Sequence, residues 1–340
     1  MVRLRSLNRS KIVWPLVTLG ILLVFNLFFI PNFFRIEIIE GHLFGNLIDI
    51  IKNAAPIMLL AIGLTLVIAT HGIDISVGSV VAISAGVVAM LIGGDLKGNP
   101  KYPIAIAMAA ALLVSTVAGM WNGMLVSRIG MQPIIATLIL FVAGRGIAMV
   151  TTNAMVIWLY AKPFALLGQG YRLGLPFSIY IVAFLLVLTI LFTRKTALGM
   201  FIEAVGINPT ATRFAGINAR NILFWCYAFS GFCAGVSGLI VCSTVMSADG
   251  NNAGNLFELD AILAVVLGGT SLAGGRFFLI GSMVGALIIQ TLTTTIYAFN
   301  VPPEIAQVVK ALVVYAVSLL QSDTFRARVA GIFGRREAAA

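Results

Sequence analysis

Residues 203–216 read EAVGINPTATRFAG, a polar and turn-rich interruption between long apolar runs. Asn208 suits a helix N-cap, Pro209 the first helical position, and Gly216 the residue just beyond the last turn. The helix so bracketed is about seven residues, too short to persist alone in water. Ala211, Phe214 and Ala215 fall at i, i+3 and i+4 and form one apolar stripe, with Arg213 turned away from it. A lipid-surface helix would be longer and more basic. The stretch therefore predicts a small helix that docks into a groove on a partner.

Outward from this stretch the chain is apolar in both directions. Of 340 residues, 60% are hydrophobic and 10% charged, and the mean hydropathy is +1.05, far from the balance of a soluble domain. Apolar runs long enough to cross a bilayer as helix recur throughout. We read ten, at 12–30, 54–70, 75–94, 102–127, 131–151, 176–193, 221–243, 257–271, 277–295 and 305–320. The expected fold is all-α, a single polytopic membrane domain over 1–340. Its parts are an N-terminal segment 1–11, spans one to six within 12–193, a loop 194–220, spans seven to ten within 221–320, and a tail 321–340.

The net charge of +10 raises the question of nucleic acid, and its distribution answers it. Of 22 basic residues, Arg145 and Lys310 fall inside spans, and Arg35, Lys52, Lys97, Lys101, Lys162 and Arg172 fall in one set of loops. The remaining fourteen, including Arg3, Arg128, Arg194, Lys195, Arg213, Arg220, Arg276, Arg326, Arg328, Arg335 and Arg336, fall in the other set and the two ends. By the positive-inside rule the richer set and both termini are cytoplasmic, and no nucleic-acid partner is needed. The first apolar run exceeds a signal-peptide core and no cleavage motif follows it, so it reads as a retained helix. Cys226, Cys233 and Cys242 share one span without metal-ligand spacing and read as buried structural thiols.

Five spans on either side of residue 160 suggest two halves, which must insert with opposite topology if they are repeats. The segments 67–78 (VIATHGIDISVG) and 265–275 (VVLGGTSLAGG) each break an apolar run with Gly and Ser. Such breaks at membrane depth need protein or a watery cavity around them. Gly231, Gly235 and Gly238 have the spacing of close helix packing.

Inside the membrane Asp74, Arg145, Asp260 and Lys310 need partners. Asp74 with Ser76 is read as capping the helix that starts near Ile75, and Asp260 as capping its own span. Lys310 is read as snorkelling outward, and Arg145 as pairing with Asp74 or Asp260. A polar solute would find hydrogen-bonding groups and an aromatic face at Trp121 and Asn122, and again at Gln290 beside Thr291, Thr293 and Thr294. For the threonines, back-bonding to their own helix is the plainer expectation. The candidate pathway residues are thus Asp74, Trp121, Asn122, Arg145 and Gln290.

No GxxxxGK[ST] phosphate loop occurs, so nucleotide hydrolysis is not expected of this chain. A transporter with a cytoplasmic docking helix and no motor points to a separate ATPase. The stretches GIDISVGSVVAI (72–83), WNGMLVSRIGMQPIIATLILFVAGRG (121–146), TRKTALGMFIEAVGINPTATRFAGIN (193–218) and AVVLGGTSLAGGRF (264–277) resemble the permease subunits of ribose-type bacterial ABC sugar importers. Within that family the chain is most similar to galactofuranose importer permeases, through GHLFGN (41–46), ADGNNAG (248–254), FELDAILAVV (257–266) and PPEIAQVVKA (302–311).

The resemblance implies a type II ABC importer fold in the bacterial inner membrane. It implies a coupling helix that seats in an ATPase cleft, a role falling on Glu203, Gly206, Asn208, Pro209, Ala211, Phe214, Ala215 and Gly216. The partners it implies are ABC ATPase subunits that bind ATP and magnesium, a second permease, a periplasmic sugar-binding protein touching 248–254, and membrane lipid. The chain itself would bind no cofactor. Other substrates in reach are ribose or a nucleoside. An ion-coupled secondary transporter using Asp74, Asp260 or Lys310 would not need the capped helix, and a scaffold would carry no flux.

Overall fold

The computed structural model describes residues 2–39, 41–93 and 98–321. The tail with Arg326, Arg328, Arg335 and Arg336, and Lys97 in its loop, lie outside the described residues.

The described chain is mostly helical. Helix α1 covers Val2–Phe29, α2 Asn46–Ala69, α3 Val77–Ile92 and α4 Ile104–Met124, the last running into a π-helical turn at Leu125–Ile129. There follow α5 Pro133–Thr151, the short α6 Lys162–Ala165, α7 Phe177–Lys195, α8 Leu198–Ile207 and α9 Pro209–Phe214. The chain continues with α10 Ala219–Val245, α11 Phe257–Leu267, α12 Leu279–Ala298 and α13 Pro303–Gln321. Strand pairs of two or three residues stitch the loops: β1 Glu37–Ile39 with β2 His42–Phe44, β3 Ile157–Trp158 with β6 Ser247–Ala248, and β4 Tyr171–Arg172 with β5 Leu175–Pro176.

Among the described residues seven helices are long and apolar enough to cross a membrane, namely α1, α2, α4 with its π turn, α5, α7, α10 and α12. The ten expected spans therefore differ in kind. Helix α3 has 16 residues, about 24 Å at 1.5 Å per residue. Helix α11 has 11, about 16 Å and well short of a hydrocarbon core. The expected span at 257–271 stops at Leu267 because Gly268 and Gly269 follow, the latter at φ +88°. In the other direction α2 begins at Asn46 rather than 54. Asp49 and Lys52 in its first turns read as loop, yet a helix that projects beyond the hydrocarbon carries such charges without penalty. Helix α8 was not expected at all.

Burial sorts the helices. Helix α2 is buried on nearly every side and α10 and α12 on most, while α1, α4, α5 and α7 are largely exposed. Helix α2 packs on α10, α12 and α11; α10 packs on α4 and α3; α3 packs on α5; α1 lies on α12 and α7 on α2. Close approach rests on small residues, because between helices in lipid it is packing contact that holds them. A side chain on Gly119 would meet the Gly231 Cα at 2.9 Å, and one on Gly235 the Ser115 Cβ at 2.8 Å, so these residues seat α10 against α4. Gly238 serves α3 instead, against Ser84 and Val81. The three cysteines are free and buried on α10.

Candidate functional site

The small helix forms as its residues dictate. Asn208 Oδ1 accepts the Ala211 N–H at 2.9 Å, Pro209 occupies the first position, and Gly216 turns the chain at φ +80°. The Gly216 N–H donates to Arg213 O at 3.0 Å and the Ile217 N–H to Thr212 O at 3.2 Å, closing the C-terminal carbonyls. Thr212 faces inward and is buried, while Phe214 is 88% exposed, with Ala211 and Ala215 also in the open. A groove of about 510 Å³ runs between α9 and the start of α10, lined in part by Pro209, Arg213, Asn218 and Arg220.

Glu203 and Gly206 are on α8, not on α9. Gly206 is buried, and a Cβ there would fall on the carbonyl oxygen of Ala69, at the end of α2. That same oxygen accepts the Gly275 N–H at 2.8 Å. His71 Nδ1 lies 2.6 Å from Ala273 O. The two Gly-rich breaks read from the sequence, after α2 and after α11, thus meet each other directly beneath α8. One residue, Asn208, separates α8 from α9, so the exposed Phe214 is joined by a short connection to both breaks.

Above this junction sits a buried polar node. Asp74 is 1% exposed; its Oδ1 accepts the Ser76 N–H at 3.1 Å and the Ser76 hydroxyl at 2.6 Å, and its Oδ2 accepts the Ser230 hydroxyl at 3.0 Å. The Asn122 amide donates to Ser76 Oγ at 2.8 Å and reaches Asp74 Oδ1 at 3.5 Å. From α5, Thr137 Oγ1 accepts the Ile75 N–H at 3.3 Å. Tyr227 on α10 donates to Ile73 O at 3.4 Å. The node joins α3, α4, α5 and α10 at the first break. It corrects the expected cap: α3 starts at Val77, Ser76 makes no side-chain cap bond, and Asp74 braces the turn before the helix instead.

The expected pairing of Arg145 is also corrected. Its Nη1 donates to Ala253 O at 2.6 Å and Asn251 O at 3.1 Å, holding the loop between α10 and α11. Glu258, 3% exposed, is the carboxylate within its electrostatic reach on α11. In that loop burial alone would raise the Asp249 carboxyl, but bonds from the Asn251 backbone, from the Asn252 side chain and backbone, and the Arg145 charge hold it below its usual range. Asp260 does not cap its helix. It binds Lys310 of α13 at 2.7 Å, so Lys310 points to a partner rather than snorkelling away.

Of the candidate pathway residues, then, Asp74 and Asn122 come together and the others lie apart. Trp121 and Asn122 are adjacent in sequence but about 100° apart on a helix; Trp121 is on the open face of α4, 49% exposed, and Asn122 is fully buried. Gln290 is half-buried on α12. Thr293 bonds back to Ile289 O at 2.8 Å, as expected of threonines there. Ser230 and Glu258 escaped sequence reading. Ser230 lies in a run of small residues that reads only as packing, and Glu258 at a span edge where charge is unremarkable.

Against known families, residues 46–318 match the one described as branched-chain amino acid transport system / permease component. Over 96% of both chains the protein is 47% identical to the galactofuranose transporter permease of Escherichia coli K12. It is 39% identical to the fructose import permease of Bifidobacterium longum, over 94% of this chain and 89% of that one. To the ribose import permease of Haemophilus influenzae it is 36% identical, over 85% and 86%. No solved structure matches the chain.

Proposed function

The chain belongs to the branched-chain amino acid transport system / permease component family, and on that premise we propose that it is the membrane subunit of an ATP-binding-cassette importer for a monosaccharide, galactofuranose first. The substrate rests on the end-to-end likeness to a galactofuranose permease, with fructose and ribose permeases at lower identity. The chain lies in a bacterial inner membrane with both termini cytoplasmic and ten membrane segments, of which α3 and α11 are short and α11 covers only part of the hydrocarbon as helix. Two inverted halves fit the packing, in which α2 meets α12 and α11 as α10 meets α4 and α3.

The observation that carries the reading is the exposed, doubly capped α9 tied to both helix breaks. A separate ATPase subunit holding Mg-ATP grips Phe214 and its neighbours. Closure of the ATPase pair displaces α9, α8 bears on Ala69 and Gly275 through Gly206, and α10 bears on Asp74 through Ser230. A two-state rearrangement of the packed helices then opens the path to the other side. A second permease completes the pathway and a periplasmic binding protein meets the loop around 248–254, which Arg145 holds in shape. Selectivity belongs to that receptor, since a tight site inside the membrane would slow release.

Uptake of labelled sugars by a strain lacking this chain tests the proposal. Galactofuranose uptake is expected to vanish on deletion and return with the gene, with galactopyranose uptake unchanged. Loss of ribose or fructose uptake instead would reassign the sugar. Undiminished uptake of every sugar, or flux in vesicles without any ATPase, would remove the importer reading.

A further inference from the structure

Helices α2, α7, α8 and α10 enclose a groove of about 590 Å³ at the end of α7, within the size range of sites that hold small ligands. Leu66, Leu188, Phe192, Ile202, Trp225 and Phe229 form its walls. The hydroxyls of Thr189 and Thr193, also in the wall, donate to Leu185 O at 2.7 Å and Thr189 O at 2.8 Å, so they offer the groove their methyl groups. Trp225 is 61% exposed, and the groove opens outward.

The helix ends that bound it carry cations. Arg194 and Lys195 follow the lining residue Thr193 at the end of α7, and Arg220, which also lines the groove beside α9, precedes the lining residue Asn221 at the start of α10; all three are exposed. Arg128 reaches the same rim, donating to Asn221 Oδ1 at 2.9 Å. Between residues 188 and 229 the only carboxylate is Glu203, and among the described residues none of these four cations has an ion-pair partner.

We propose that this groove is a binding site for one anionic phospholipid of the cytoplasmic leaflet, its acyl chain between α7 and α10 and its phosphate at Arg128, Arg194 and Lys195. An apolar groove at membrane depth beneath a basic rim is the arrangement that selects anionic headgroups. A second permease is a poor occupant, because its own cytoplasmic loops would bring like charge to the same level. The inference rests on membrane placement and not on the sugar carried, so lipid selectivity and sugar uptake fail separately.

Trp225 supplies the readout. With Trp14, Trp121 and Trp158 changed to Phe it is the last of the four tryptophans. The full chain is reconstituted in bilayers containing phosphatidylglycerol or phosphatidylcholine with brominated acyl chains, and quenching of Trp225 is titrated. Phosphatidylglycerol is expected to associate at least about fivefold more tightly than phosphatidylcholine, the factor one effective cation supplies near the surface. The variant Arg128→Gln/Arg194→Gln/Lys195→Gln should erase the difference. Equal quenching by the two lipids, no quenching by either, or a preference that survives the triple substitution would overturn the proposal. The comparison in the chain with its native cations decides the matter even if the triple variant does not fold.

Discussion

Asp74→Ala is expected to destabilise the permease by a sizeable share of its folding margin. The carboxylate accepts from the Ser76 N–H, the Ser76 hydroxyl and the Ser230 hydroxyl in a fully buried setting. Removing it strands those donors, at about 1–3 kcal/mol for each that finds no other acceptor. The hydroxyls can turn toward helix carbonyls, but the Ser76 N–H cannot. A net loss of about 1–3 kcal/mol follows from the stranded N–H, against a native margin of roughly 5–15 kcal/mol. Asp74→Asn keeps one acceptor for the Ser76 N–H and lets Ser230 accept from the new amide, so its loss should be under about 1 kcal/mol and smaller than that of the alanine variant. Thermal unfolding of the purified chain ranks the three proteins. An alanine variant that melts with the parent would show that Asp74 does not hold the break.

The second large effect is expected at Gly206. A methyl group there enters the space between Ala69 O and the Gly275 N–H that bonds to it, and no rotamer change relieves a clash with backbone. Overpacking of this kind costs about 1–3 kcal/mol even where side chains absorb part of it. Gly206→Ala should therefore lift α8 from the two breaks and lower sugar uptake by about tenfold, the equivalent of 1.4 kcal/mol on the limiting step. Gly146→Ala is the control. It too lies within a helix, but nothing approaches its Cβ position within 4 Å, so the variant should be neutral or gain up to ~1 kcal/mol of helix propensity. Parental uptake by Gly206→Ala would separate α8 from transport.

Much of this was legible because the deciding chemistry is local. Asn208, Pro209 and Gly216 specify their helix within nine residues of each other, and α9 forms where they say. Long apolar runs and the distribution of Arg and Lys carry the membrane class. What escaped depends on neighbours far along the chain. Helix α8 is ten residues, too short to cross and so absorbed into a loop, and it is held by Ala69 and Gly275 rather than by its own propensity. Arg145 was assigned a carboxylate because a cation in a membrane invites one. Its Nη1 instead donates to two carbonyls of the 249–254 loop, and a sequence does not mark which loop carbonyls the fold brings to a given helix. Trp121 and Asn122 read as one polar place, yet the ~100° between helical neighbours puts one on the open face of α4 and the other in the core.

The coupling account stands on Phe214. At 88% exposure its ring supports nothing within this chain, so Phe214→Asp should leave the melting temperature unchanged while placing a charge on the docking face. The direct measurement is ATP-fuelled sugar import together with recovery of the ATPase subunit that co-purifies with the chain. The account predicts an intact permease that loses its ATPase and imports at least about tenfold more slowly, since 1.4 kcal/mol of lost docking already suffices. Import and ATPase recovery at parental levels would contradict it.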